Sequence, residues 1–206
     1  MLTQEEIEQN IPEYSGDCLA VFIACLNALN NNVVYGTWIE LYSIHLLEFE
    51  QEVKELLYSS PFKTESTDVF DYGINNYAIL KHKNFGDLNI CRYEGLKEVY
   101  KLANIIKYHG NIAIHLAKER GYTADQLEYK LESSRVDHFS SLELVGREIL
   151  DSIAKNLQGQ LNFYGVDQYF NFEKLVEDYI EDHDNISIEI VKEDNGTLRY
   201  YVFEET

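Results

Sequence analysis

The chain has 206 residues and carries 36 Asp and Glu against 17 Lys and Arg, a formal net charge of −19. That balance excludes ordinary nucleic-acid binding, which needs cationic side chains to neutralise phosphates, and docking on anionic membranes; it favours a basic partner or plain solubility. Hydrophobic residues, at 45%, suffice for a buried core, while no apolar run nears the ~20 residues of a membrane span and MLTQEEIEQN has neither the basic nor the apolar region of a signal peptide.

Thr3-x-x-Glu6 has capping-box spacing, which predicts a short helix running up to Pro12. Leu19–Leu29 (LAVFIACLNAL) reads as a buried strand, Asn30–Asn32 as a turn, and Val33–Leu41 as the partner strand of a hairpin. Phe49, Val53, Leu56 and Leu57 share one face of a predicted helix over Glu48–Ser59, which Pro61 ends. Residues 62–76 are polar and predict a loop, and Tyr77–Lys83 a third strand.

From Glu94 the period becomes helical. Leu96, Val99, Tyr100, Ala103 and Ile106 line one face of a helix that Gly110 terminates. Further helices are predicted over about 111–120, 123–133 and 140–157, the last with Leu142, Val145, Ile149 and Ile153 as its apolar stripe. Asn171 is placed to cap a helix carrying Leu175, Val176, Tyr179 and Ile180. Ile186–Val191 and Leu198–Phe203 alternate on either side of Glu193-Asp194-Asn195-Gly196, a hairpin signal because Asn-Gly supports positive φ. The expected fold is α+β, elongated, with about three small domains. The boundaries are an N-terminal extension over 1–18, an α+β domain over 19–92, a helical domain over 93–158, and an α+β domain with a terminal hairpin over 159–206.

The charge is segregated: residues 1–72 sum to −11, 73–122 to +4 and 123–206 to −12. Its spacing is equally uneven. Glu48, Glu52 and Glu55 fall at i, i+4, i+7; Asp125, Glu128 and Glu132 at i, i+3, i+7; Glu173, Glu177 and Glu181 at i, i+4, i+8, with Asp178 and Asp182 beside them. Each set makes a carboxylate ridge with neighbours ~6 Å apart at ~1.5 Å rise per residue. Like charges at i,i+4 cost roughly 0.2–0.5 kcal/mol per pair, and few lysines interleave to relieve it. One such helix reads as a solvated face; three on a chain of −19 read as a surface imitating the phosphates of duplex DNA. Two copies at −19 each carry −38, the charge of ~65 Å of duplex or roughly 19 base pairs. Glu40, Asp68, Asp71, Asp137 and Asp184 complete the set of candidate partner-binding carboxylates.

Catalytic and metal chemistry is not signalled. His45, His82, His109, His115, His138 and His183 form no H-E-x-x-H, and no G-x-S-x-G, P-loop or G-x-G-x-x-G occurs. Cys18, Cys25 and Cys91 have no C-x-x-C spacing and predict reduced thiols in a cytoplasmic protein. Cys91, beside Arg92, reads as a buried small residue without a base partner. The expected sites are therefore catalytic none, cofactor none and metal none.

The order of these segments resembles the ArdA antirestriction family of plasmids, transposons and phages. The likeness rests on VFIACLNALNNNVVYGTWIEL, with Asn27 and Asn30–Asn32 in its turn region and Gly36-x-Trp38-Ile39 after it. EFEQEVKELL with Ser59-Ser60-Pro61, NNYAIL, Phe85-Gly86, CRYEGLKEVYKLANII with Tyr108-His109-Gly110, and SLELVGREILD follow in order, over roughly residues 19–190. The resemblance implies a homodimeric DNA mimic that occupies the DNA-binding groove of host type I restriction-modification complexes, with no catalysis, no cofactor, and no direct contact with nucleic acid or membrane. It places the family's dimerisation motif near Leu142–Leu157. Leu142, Val145, Ile149 and Ile153, with Leu144 and Leu150 off that line, are the expected dimer interface. The alternative is an anti-CRISPR or other host-defence inhibitor that uses its acidic surface as a protein–protein interface without mimicking DNA.

Overall fold

A computed structural model describes residues 2–62, 76–154 and 156–205. Asp68, Asp71 and nearly all of the loop expected at 62–76 lie outside them. The fold is α+β, with two three-stranded antiparallel sheets among the described residues, and the chain forms two compact units, Met1–Ala124 and Asp125–Thr206.

In the first unit a capping box at Thr3 opens helix α1 (Gln4–Gln9). Strand β1 (Ala20–Cys25) is buried along its whole length, which accounts for its uninterrupted apolar sequence. It ends sooner than expected, because Leu26–Asn30 turns into a short helix, α2. Strand β2 (Gly36–Glu40) pairs antiparallel on one side of β1 and β3 (Tyr77–Lys83) on the other, giving the order β2-β1-β3. One face of the sheet meets helix α3 (Leu46–Ser59) through Phe49 and Val53, both fully buried. The opposite face packs Phe22, Ala24 and Ala78 against Ile7 and Ile11, with Trp38 alongside.

Residues 1–18 are thus part of this core. The Trp38 indole N–H donates to the Pro12 carbonyl at 2.7 Å, the Tyr14 hydroxyl to Glu40 at 2.9 Å, and the Asn84 amide to the Cys18 carbonyl at 2.7 Å. Helix α4 (Leu96–His109) ends at Gly110, whose φ of +62° suits glycine and starts α5 (Asn111–Glu119) in a new direction. The Tyr100 hydroxyl donates to the Ile44 carbonyl at 3.1 Å and ties α4 to the start of α3. Cys91 corrects its expectation: it is exposed, and the buried side chain of this stretch is its neighbour Ile90.

The second unit begins in helix α6 (Ala124–Ser133) and continues directly into strand β4 (Ser134–Phe139), which the sequence pattern did not predict. Residues 93–158 are therefore divided, α4 and α5 falling in the first unit and β4 and helix α7 (Leu142–Ile153) in the second. Ala154 caps α7, so this helix stops short of the 157 expected for it, and Asn156, at φ +75°, precedes a further helix, α8 (Leu157–Tyr164), that the sequence pattern did not predict. A single 3-10 turn (Asp167–Tyr169) leads to α9 (Phe172–Asp182), capped by the Asn171 side chain as expected. Strands β5 (Ile186–Lys192) and β6 (Leu198–Glu205) form the terminal hairpin, and the sheet order is β4-β6-β5. In the turn only Gly196 takes positive φ; the Asn195 side chain instead accepts from the Thr197 backbone and hydroxyl.

Val145 and Ile149 of α7 and Val176 of α9 pack on one face of this sheet, against Phe139, Ile188, Tyr200 and Val202. Gly146 sets how closely the two helices approach, since a Cβ there would lie 2.5 Å from the Phe172 carbonyl oxygen. On the other face Phe203 is fully buried; the Lys130 ammonium of α6 sits 5.1 Å above its ring and pairs with Glu205 at 2.6 Å.

Candidate partner-binding surface

The ridges follow from amphipathic helix geometry: once the apolar face is committed to a sheet, the remaining positions face solvent. On α3, with Phe49, Val53 and Leu57 buried, Glu48, Glu52 and Glu55 are all exposed, within about 60° of one another at about 100° per residue. Their mutual field is visible in Glu52, whose carboxyl is raised above its ordinary range, first by partial burial and then by Glu55 and Glu48. Glu48 also serves the fold, accepting from the His45 backbone N–H at 2.8 Å as a capping residue.

On α9, Phe172 and Val176 are buried, while Glu173, Glu177, Asp178, Glu181 and Asp182 are exposed, as is Asp184 beyond the helix. Lys174 pairs with Asp178 at 2.9 Å and with Glu177 at 3.3 Å, so part of this ridge is internally neutralised. On α6, Asp125 and Glu132 are exposed and Glu128 is half-buried. Two other candidate acids are tied locally. Glu40 accepts from the Tyr14 hydroxyl, which burial and this carboxylate push up to about 12. Asp137 pairs with Arg135 at 2.9 Å.

The apolar positions of α7 divide differently from the expected stripe. Val145, Ile149 and Leu150 are buried in their own unit, Leu142 is half-buried, and Leu144 and Ile153 are exposed. Among the described residues no group of three or more His, Cys, Asp and Glu could hold a metal ion, and no helix is long and apolar enough to cross a membrane.

At the start of α9 stands an arrangement that the sequence pattern did not predict. Arg147 of α7 donates to Glu143 at 2.7 and 2.9 Å, lies 3.5 Å from Asp167, and stacks 4.3 Å from the Phe172 ring. These partners, Glu143 foremost, hold its guanidinium above the ordinary range. The group borders an open cavity of about 580 Å³. The only sequence signal was the i,i+4 pair Glu143–Arg147; the other partners arrive by the chain reversal through α8.

The structure defines an acidic α+β protein in which helices packed on two small sheets carry carboxylates on their solvent faces. Its residues 21–190 match the family model described as antirestriction protein (ArdA). The chain belongs to that antirestriction family. No curated protein and no solved structure matches it.

Proposed function

We propose that this chain inhibits host type I restriction-modification complexes in the cytoplasm by occupying their DNA-binding groove, its carboxylates standing in for phosphates, with no catalytic step and no cofactor. The observation that carries the reading is the exposed ridges of α3 and α9, where eight candidate carboxylates stand on solvent faces with Lys174 as the one cation paired to them by a direct contact among the described residues. A groove that neutralises phosphates with Lys and Arg accepts such a surface for the same electrostatic reason that it accepts duplex. A second copy, meeting the face of α7 that bears Leu144, would double the acidic length available.

The test is inhibition of a purified type I enzyme at increasing concentrations of duplex DNA and of salt. Mimicry requires competition with DNA and an affinity falling steeply with salt, by about one unit of log–log slope per phosphate-like contact. Inhibition indifferent to DNA concentration would refute mimicry and leave a host-defence inhibitor acting through a protein–protein interface.

A further inference from the structure

Resting on the acidic-surface function proposed above, we propose that the cavity between α7 and the start of α9 receives a guanidinium side chain, an arginine of the partner protein. The cavity, of about 580 Å³, is lined by Glu143, Arg147, Asp167, Tyr169, Phe172 and Glu173 among others. Three carboxylates against one guanidinium leave it negative, and Arg147 is already satisfied by Glu143 and Asp167. An anion therefore gains nothing there, and a cation finds acceptor capacity on Glu173 and on the remaining lone pairs of Glu143 and Asp167.

The wall selects among cations. Tyr169 is 82% exposed, with its ring open to a ligand, and Phe170 and Phe172, their rings 4.8 Å apart, also line the cavity. A guanidinium is planar, weakly hydrated and stacks on aromatic faces, whereas an ammonium is a compact, strongly hydrated charge. Arg147 displays that mode of capture, stacked on Phe172 while two carboxylates hold its edge. Concave shape and aromatic lining separate this place from the ridges, which attract any cation through solvent. On this reading the diffuse surface brings the partner in, and the cavity fixes one of its arginines.

The experiment uses the full chain with N-acetylarginine methylamide as probe and the neutral citrulline analogue as control, followed by amide and aromatic NMR shifts. The expected result is saturable, arginine-specific shifts at residues 143–147 and 167–173. Tyr169→Ala and Glu173→Gln, both at exposed positions that leave the core untouched, should each weaken binding about two- to fivefold. Equal shifts with citrulline, arginine shifts spread evenly over α3, α6 and α9, or wild-type binding by Tyr169→Ala would each overturn the proposal. A chain that competes with DNA on a type I enzyme but shows no arginine-specific shifts would lose the cavity and keep the mimicry; arginine capture without competition would do the reverse.

Discussion

Replacing Gly146 by alanine sets two known effects against each other. Alanine gains roughly 1 kcal/mol over glycine in a helix interior. Its Cβ, however, would stand 2.5 Å from the Phe172 carbonyl oxygen and 2.8 Å from the Phe172 Cβ, where carbon contacts are most favourable near ~3.5–4.0 Å. The obstacle is backbone at the head of α9, so no rotamer change relieves it, and α9 must retreat by about 1 Å. Overpacking of this kind costs typically ~1–3 kcal/mol, and the retreat also draws Phe172 from the Arg147 guanidinium, now 4.3 Å away. We expect net destabilisation of about 1–2 kcal/mol, at ~4–8 °C per kcal/mol for a unit of this size. Circular-dichroism melting measures it, with faster amide exchange in α9 locating the loss. Gly159→Ala is the matched control, because nothing lies within 4 Å of that Cβ and the residue is inside α8; it should raise stability by up to ~1 kcal/mol. A Gly146→Ala protein melting at or above wild type would refute the packing argument.

Glu177→Gln alone should weaken inhibition by less than about fivefold, since an exposed charge contributes ~0–1 kcal/mol. Neutralising Glu173, Glu177, Asp178, Glu181 and Asp182 together should cost on the order of a hundredfold and flatten the salt dependence; loss of all activity with Glu177→Gln in a folded protein would mark a hot spot instead. Glu52→Gln should stabilise the chain at neutral pH. The folded-state carboxyl is raised, so it binds its proton more readily than in the unfolded chain, and stability falls as pH rises through that range. The gain should vanish once both states are protonated at acid pH; denaturant titration at pH 7 and pH 3 distinguishes this from a pH-independent effect.

What could be read from the sequence was local, and what could not was brought together by the chain's path. The α3 and α9 ridges were legible because their carboxylates and buried partners lie within one helix, where a period of 3.6 places both. Tyr77–Lys83 appeared with its full bounds because its apolar start and polar end match a strand emerging from a core. Strand β4 was hidden. Ser-Arg-Val-Asp-His-Phe has little apolar alternation, and its strand character comes from pairing Val136 with Phe203, far along the chain. The break between α7 and α8 rests on Asn156 in a left-handed conformation, a signal at one residue inside an otherwise helical pattern. Residues 1–18 read as an appendage, yet Ile7 and Ile11 bury against β1 and β3 from beyond the stretch that matches the family. Strand β6, central to the second sheet, also lies outside that stretch.

The burial pattern of α7 narrows where two copies can meet. At about 100° per residue, Val145, Gly146, Ile149 and Leu150 of α7 span about 140° of its circumference. That sector is wider than one stripe: α9 approaches at Gly146, and Leu150, the next position round, is buried as well. Of the second apolar pair, expected to serve an interface, Leu150 is thus spent inside the unit and Leu144 is not. Leu144 and Ile153, both exposed, are nine residues apart and so about 180° opposed. Leu144 lies opposite the buried sector, with Glu148 and Asp151 exposed beside it, whereas Ile153, though exposed at the helix end, lies on the buried sector's side. Burying a leucine contributes roughly 1.5–3 kcal/mol, and twofold symmetry applies it twice, but the same contact brings like carboxylates together on chains of net −19. Association through this face must therefore tighten with salt, as the Debye length shortens from ~30 Å at 0.01 M to ~10 Å at 0.1 M, opposite to the salt dependence of target binding. Leu144→Glu should be monomeric at micromolar concentration at either salt, and Ile153→Ser should sediment as wild type. A Leu144→Glu protein that sediments as wild type, or a dimer that weakens as salt is raised, would remove α7 as the meeting surface.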